Sequence, residues 1–75
     1  MTPLQHPLSK REEQVAVLLS QGLHEKAVAK QLKVTVNTIA GFRRRIYLKT
    51  GSHTLADLMR WAVTMELLTR DTLDG

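Results

Sequence analysis

The sequence predicts an all-α domain of four helices. Its 75 residues suffice for one small domain, and 43% of them are hydrophobic, which is enough apolar content to form a core. Aromatic residues make up only 4%, with four glycines and two prolines, so most apolar side chains favour helix. Apolar residues at helical spacing, separated by capping residues, then divide the chain into four segments.

The first two helices are predicted from their ends. Ser9, followed three residues later by Glu12, forms a capping-box pattern. Gly22 ends the apolar periodicity, which gives a first helix over about 9–21. A shorter second helix follows over 24–32. The apolar side expected for this second helix consists of Ala27, Val28 and Leu32.

The third helix is expected over about 36–50. Thr35 can cap its start, and Gly51 can end it as a left-handed cap. Ile39 and Ile46 lie in one narrow stripe at 100° per residue, so that this side should face the core.

The fourth helix is predicted from a second capping-box pattern, Thr54 with Asp57. An apolar stripe follows at helical spacing. Its members are Leu55, Leu58, Met59, Ala62 and Met65.

The predicted organisation is a flexible arm over 1–7, one domain over 8–68 and a polar tail over 69–75. No apolar run is long enough to cross a bilayer, and the start of the chain is unlike a signal peptide. The absence of cysteine excludes disulfides and thiolate zinc sites. We therefore expect a cytoplasmic protein with no membrane partner.

Positive charge is concentrated on the third helix. The chain has a net charge of +4, and between 36 and 50 there are four basic residues and no acid. The link from the second to the third helix is three or four residues long, as in a helix-turn-helix. The basic residues of this segment are Arg43, Arg44, Arg45 and Lys49.

Arg44 lies at the centre of the side of the third helix opposite the isoleucine stripe. A guanidinium there can bond O6 and N7 of guanine together, and the small Ala40 and Gly41 let the helix approach bases closely. This pattern predicts binding of double-stranded DNA in the major groove. A solvated helix face in an ordinary helical hairpin remains the alternative. Other members of the outward side are Asn37, Thr38, Arg45 and Leu48.

A set of residues recurs in a characteristic order over 8–68: Leu8 to Glu12, Val15, Leu18, Leu19, Gly22, Leu23, Lys26, Ala29, Leu32, Val34, Thr35, Thr38, Ile39, Ile46 and Lys49. Their ordered spacing resembles the LuxR/GerE-type DNA-binding domain. The resemblance implies a bacterial transcription regulator whose third helix reads the major groove and whose fourth helix forms a dimer contact. It also implies that Thr38 touches phosphate and that the carboxylate of Glu12 pairs with a basic residue inside the domain.

The sequence departs from the family pattern at several positions. Ala40 and Phe42 stand where lysine and histidine are common, His24 replaces the usual serine cap, and Leu55 replaces a frequent basic residue. The half-site sequence of relatives therefore cannot be transferred. Nothing in the chain could form a receiver or ligand-binding domain, so we expect either a single-domain regulator of the GerE type or a domain excised from a longer protein. The initiating Met and the acidic tail favour the single-domain regulator.

Catalytic and metal sites are not predicted. No two of the three histidines, His6, His24 and His53, share a helix face, and no cysteine joins them. No serine has a plausible histidine and carboxylate constellation. We therefore predict a protein that is not an enzyme and needs no metal and no cofactor.

The fourth helix also carries apolar residues on a face rotated away from Leu55, Leu58 and Ala62, namely Trp61, Met65 and Leu68. Two interpretations remain open: the small core wraps around Trp61, or this face is the interface of a homodimer.

These observations predict a sequence-specific DNA-binding transcription regulator acting as a dimer. The alternative is a LuxR-like interaction module, an anti-activator or co-regulator, which pairs with another transcription regulator through the fourth helix and binds DNA weakly. The predicted DNA contacts are Asn37, Thr38, Ala40, Gly41, Arg43, Arg44, Arg45 and Lys49.

Overall fold

A computed structural model of the chain describes residues 7–65 and shows four α-helices. They are α1 (Lys10–Ser20), α2 (Glu25–Leu32), α3 (Val36–Thr50) and α4 (Leu55–Thr64). Residues 7–65 contain no strand. The structure thus confirms the all-α fold class, and α3 has the predicted bounds.

Side-chain caps set the starts of the first three helices. At α1 the capping box is complete: the Glu12 N–H donates to Ser9 Oγ at 3.2 Å, and the Ser9 N–H donates to Glu12 Oε1 at 2.9 Å. At α2 the ring Nδ1 of His24 accepts a backbone N–H of the first turn at 3.3 Å. At α3 the hydroxyl of Thr35 accepts the N–H of Thr38 at 3.2 Å. Each cap satisfies a donor that the helix itself leaves free.

The cap of α4 differs slightly from the predicted box. Thr54 Oγ1 accepts the N–H of Asp57 at 3.1 Å, as expected. The Asp57 carboxylate accepts the N–H of His53, one residue before the cap, at 3.1 Å, and also meets Arg60 at 2.6 Å. These bonds, the one from His53 first, hold the pKa of Asp57 below its ordinary value of 3.8.

The link between α2 and α3 confirms the predicted tight turn. Residues 33–35 form it, and Lys33 adopts the left-handed conformation with φ 60°. The N–H of Val34 donates to the carbonyl of Ala29 at 2.9 Å, which closes the end of α2. Within residues 7–65, every helix is too short or too polar to span a bilayer.

The core lies where α1 meets the other three helices. Ile39 and Ile46 are fully buried, which confirms the predicted inner side of α3. This packing fixes which side of α3 faces solvent. The buried apolar residues are Leu8, Val15, Ala16, Leu19, Val28, Ala29, Ile39, Ile46, Leu58 and Ala62.

Two predicted core residues prove to be exposed. Ala27 faces solvent and Ala29 is buried in its place, because Val28, Leu32 and Ala29 share a narrower sector of α2 than the predicted set. Leu55 is 41% exposed because it is the first residue of α4 and lies at the rim of the core.

Candidate nucleic-acid interface

The outward side of α3 is the candidate interface. Asn37, Thr38 and Arg44 are exposed there, and Leu48 is 78% exposed. The hydroxyls of Thr35 and Thr38 lie 2.9 Å apart in the first turn. Polar groups therefore mark the start of this side, and a large apolar side chain lies near its end.

Ala40 and Gly41 lie between these ends and are half-buried. A Cβ added to Gly41 would meet only the Nη1 of Arg45, at 3.8 Å, which is ordinary contact. Packing inside the domain therefore does not require glycine at this position. The missing side chain of Gly41 can instead allow an external molecule to approach the helix closely.

One buried carboxylate from α1 holds the end of α3. The Nζ of Lys49 lies 2.8 Å from Glu12 Oε1 and 3.1 Å from Oε2, and the Glu12 side chain is only 5% exposed. Arg45 Nε lies 3.7 Å from Glu12 Oε2, and its guanidinium stacks 4.8 Å from the ring centre of Phe42. The pairing of Glu12 that the family resemblance implied is thereby confirmed.

This environment shifts the titration of Glu12. The hydrogen bond from Lys49, followed by that from the backbone of Ser9, lowers the pKa of Glu12 below its ordinary value of 4.5, although burial acts in the opposite direction. Glu12 therefore stays ionised, and Lys49 is engaged inside the domain before any ligand arrives.

A second acidic residue, from α2, faces the other flank of α3. Arg43 Nη1 lies 2.9 Å from Glu25 Oε2, and the two side chains are 45% and 24% exposed. The same oxygen is enclosed yet accepts no well-directed hydrogen bond among residues 7–65. Arg43 thus meets Glu25 as an opposite charge rather than as a hydrogen-bonding partner.

Arg44 differs from its neighbours. Within residues 7–65 it is the one basic residue of α3 that has no carboxylate within 4 Å. It is exposed and lies between the two paired arginines. Its guanidinium is consequently the α3 group best placed to bind an external acceptor.

The structure thus brings the eight predicted contact residues onto one helix, but their roles differ. Sequence reasoning missed Glu25, which is 18 positions from its partner Arg43 and gives no periodic signal. Leu48 was placed on the outward side but not among the contacts. Among residues 7–65, no group of histidine and acidic side chains could hold a metal ion.

The predicted dimer face is only partly described. Trp61 is half-buried and packs against the core, which agrees with the interpretation that the core wraps around it. Met65 is half-buried, and Leu68 lies outside the described residues.

Comparison with known proteins agrees with the geometry. Residues 6–62 match the family of bacterial regulatory proteins, luxR family. The response regulator Rre1 of Synechocystis is 36% identical over 62 residues, which is 83% of this chain and 27% of that protein. Fimbriae Z protein of Salmonella typhimurium is 37% identical over 62 residues, covering 83% of this chain and 30% of its own length. A putative transcriptional regulator of Pseudomonas aeruginosa is 39% identical over 61 residues, covering 81% and 30%.

The fold and these likenesses define a helix-turn-helix domain of DNA-binding transcription regulators. The chain belongs to the LuxR family of bacterial regulatory proteins. It spans less than a third of the length of these curated relatives. No solved structure matches the chain.

Proposed function

We propose that this domain binds double-stranded DNA selectively by placing the outward side of α3 in the major groove, and that it thereby regulates transcription. The observation that carries the proposal is the exposed guanidinium of Arg44, which has no carboxylate partner among residues 7–65, beside the small Ala40 and Gly41. An arginine of this kind can bond both acceptors of guanine, and small neighbours let the helix backbone come close. Asn37 and Thr38 supply polar groups for phosphate or base edges.

The proposal includes a homodimer. Two copies would present their α3 helices to half-sites about one turn of DNA apart, which increases both affinity and selectivity. The contact expected from the sequence is formed by Trp61, Met65 and Leu68. Sedimentation of the chain with and without DNA measures this part separately, and a monomer in both conditions would contradict it.

Selection of bound sequences from random DNA, followed by salt titration on the winning site, tests the main proposal. A groove-binding domain should lose affinity steeply with salt, because phosphate contacts release counterions. No selected sequence, or equal weak binding to all DNA, would instead favour the protein-interaction module that pairs with another regulator.

Substitution of Arg44 tests the base contact. Arg44→Ala should weaken binding to the selected site by about 1–3 kcal/mol and relax preference at one base pair. The matched control is Arg60→Ala, because Arg60 is an exposed arginine on α4. An equal loss in both variants, or an equal loss of Arg44→Ala on every DNA, would contradict a reading role for Arg44.

Ala40 offers a gain-of-binding test. Ala40→Lys should be tolerated by the half-buried site and should add one phosphate or base contact, raising affinity and steepening the salt dependence by about one counterion. A stable variant whose DNA binding is unchanged or weaker would contradict the proposed docking of α3. Thermal melting and binding titrations at two salt concentrations measure both quantities.

A further inference from the structure

The acidic residue at the start of α2 bears on how strongly α3 attracts DNA. Glu25 is the first residue of α2, and its carboxylate lies 2.9 Å from the guanidinium of Arg43. Both side chains reach the surface. The carboxylate therefore lies beside the face that the proposed function turns toward a polyanion.

We infer that Glu25 withholds the charge of Arg43 from DNA phosphate and so lowers the affinity of the domain for DNA of any sequence. The inference rests on the proposed DNA-binding function and adds a role for a residue outside α3. Its basis is the Arg43–Glu25 pair on the exposed flank of the recognition helix.

Two electrostatic effects act in the same direction. While Arg43 is paired with Glu25, binding a phosphate requires it to give up that partner, so less of its charge contributes to counterion release. The carboxylate of Glu25 also repels phosphates that come within a Debye length, about 8 Å at physiological salt. Both effects lower the affinity shared by all sequences and leave the base contacts of Arg44 unaffected, so specific and non-specific binding are weakened by a similar factor.

The geometry suits a restraint that phosphate can displace. The enclosed Glu25 Oε2 accepts no well-directed hydrogen bond among the described residues, and nearly half of the Arg43 side chain is exposed. Ion pairs whose cation stays this exposed are weak. On the opposite flank, Lys49 makes two hydrogen bonds to the buried Glu12 and cannot be recruited so easily.

The test is DNA binding by Glu25→Gln, measured on a selected site and on random DNA at several salt concentrations. We expect about three- to tenfold tighter binding to both DNAs at physiological salt and a salt slope steeper by about one unit, with the ratio of specific to non-specific binding little changed. The control is Glu13→Gln, which changes net charge equally at a residue lying with Lys10 and Leu32 in a depression along α1 and α2. Equal gains from both variants would overturn the inference.

The double variant Glu25→Gln, Arg43→Gln identifies the mechanism. Most of the gain in DNA affinity that Glu25→Gln produces should disappear when residue 43 is neutral. A gain that persists would contradict the inference that Glu25 acts by withholding the charge of Arg43. Weaker binding by Glu25→Gln would mean that Glu25 positions Arg43 for contact, which also overturns it. If the wild type binds DNA and Glu25→Gln binds no tighter, this inference fails alone. If the wild type shows no salt-dependent DNA binding, the proposed function fails as well.

Discussion

The two flanks of α3 carry similar ion pairs in different environments. On the α1 flank, the Glu12 side chain is 5% exposed and meets Lys49 and Arg45. On the α2 flank, the Glu25 side chain is 24% exposed and meets Arg43. A carboxylate deprived of water must be compensated by several donors, whereas one at the surface is compensated largely by solvent. Burial therefore decides whether a pair holds the fold together or adjusts the charge offered to a ligand.

The largest effect is expected at the buried carboxylate. Glu12→Gln keeps the shape of the side chain but removes the charge that binds Lys49, so the free energy of unfolding should fall by about 2 kcal/mol. Urea unfolding followed by circular dichroism measures this change. A loss of unfolding free energy below about 0.5 kcal/mol would mean that the ion pairs on the two flanks of α3 do not differ in how much they stabilise the fold.

Acid titration separates the charge of Glu12 from its shape. The lowered pKa means that the ionised form stabilises the fold above the ordinary value of 4.5, and that this contribution is lost as pH falls through the lower pKa of the folded state. Stability of the wild type should therefore decrease more steeply below pH 4.5 than stability of Glu12→Gln. Parallel acid dependence in the two proteins would contradict the assignment.

An intermediate effect is expected between the flanks, at Gly41. Gly41→Ala should raise the free energy of unfolding by about 0.5–1 kcal/mol, because alanine favours helix and its Cβ meets only Arg45 at 3.8 Å. Thermal melting tests this gain in stability, and a destabilised variant would show that the Arg45 side chain cannot move to accommodate the added methyl group. Weaker DNA binding by the stabilised variant would indicate that the glycine serves close approach.

The smallest effect on stability is expected at the exposed pair. Glu25→Gln should change the free energy of unfolding by no more than about 0.5 kcal/mol, because Arg43 is nearly half exposed and Glu25 Oε2 accepts no well-directed hydrogen bond among the described residues that the substitution would remove. When both variants are measured under the same conditions, the difference between their unfolding free energies compares the two flanks directly. A loss of unfolding free energy as large as that of Glu12→Gln would mean that both ion pairs stabilise the fold.

Local features of the fold were predictable from sequence because their causes are local. Ser9, Thr35 and Gly51 act within one helical turn, and the structure places each at the predicted helix end. The buried side of α2 was predicted less well: Ala27 and Ala29 are equally apolar, but Ala29 lies nearer to Val28 and Leu32 around the helix and is the one that the core covers.

The candidate site was predicted less completely for a related reason. The basic residues of α3 are visible in the sequence, but their partners lie far away: 37 positions separate Glu12 from Lys49. No spacing rule connects such residues, and family resemblance implied a partner for Glu12 without identifying Lys49. No sequence pattern indicated the Arg43–Glu25 pair. That Arg43 has a carboxylate partner, whereas Arg44 has none among residues 7–65, is therefore visible only in the folded structure.

The same carboxylate that caps the first turn of α1 also binds a side chain at the end of α3. A helix start normally frays, so its amide protons exchange with solvent far more often than the whole molecule unfolds. Here the first turn of α1 cannot open without giving up the contact between Glu12 and Lys49. The Glu12 side chain therefore couples the opening of the first turn of α1 to the loss of a contact with α3. The amide protons of Ser9 and Glu12 should consequently exchange as slowly as those of the core.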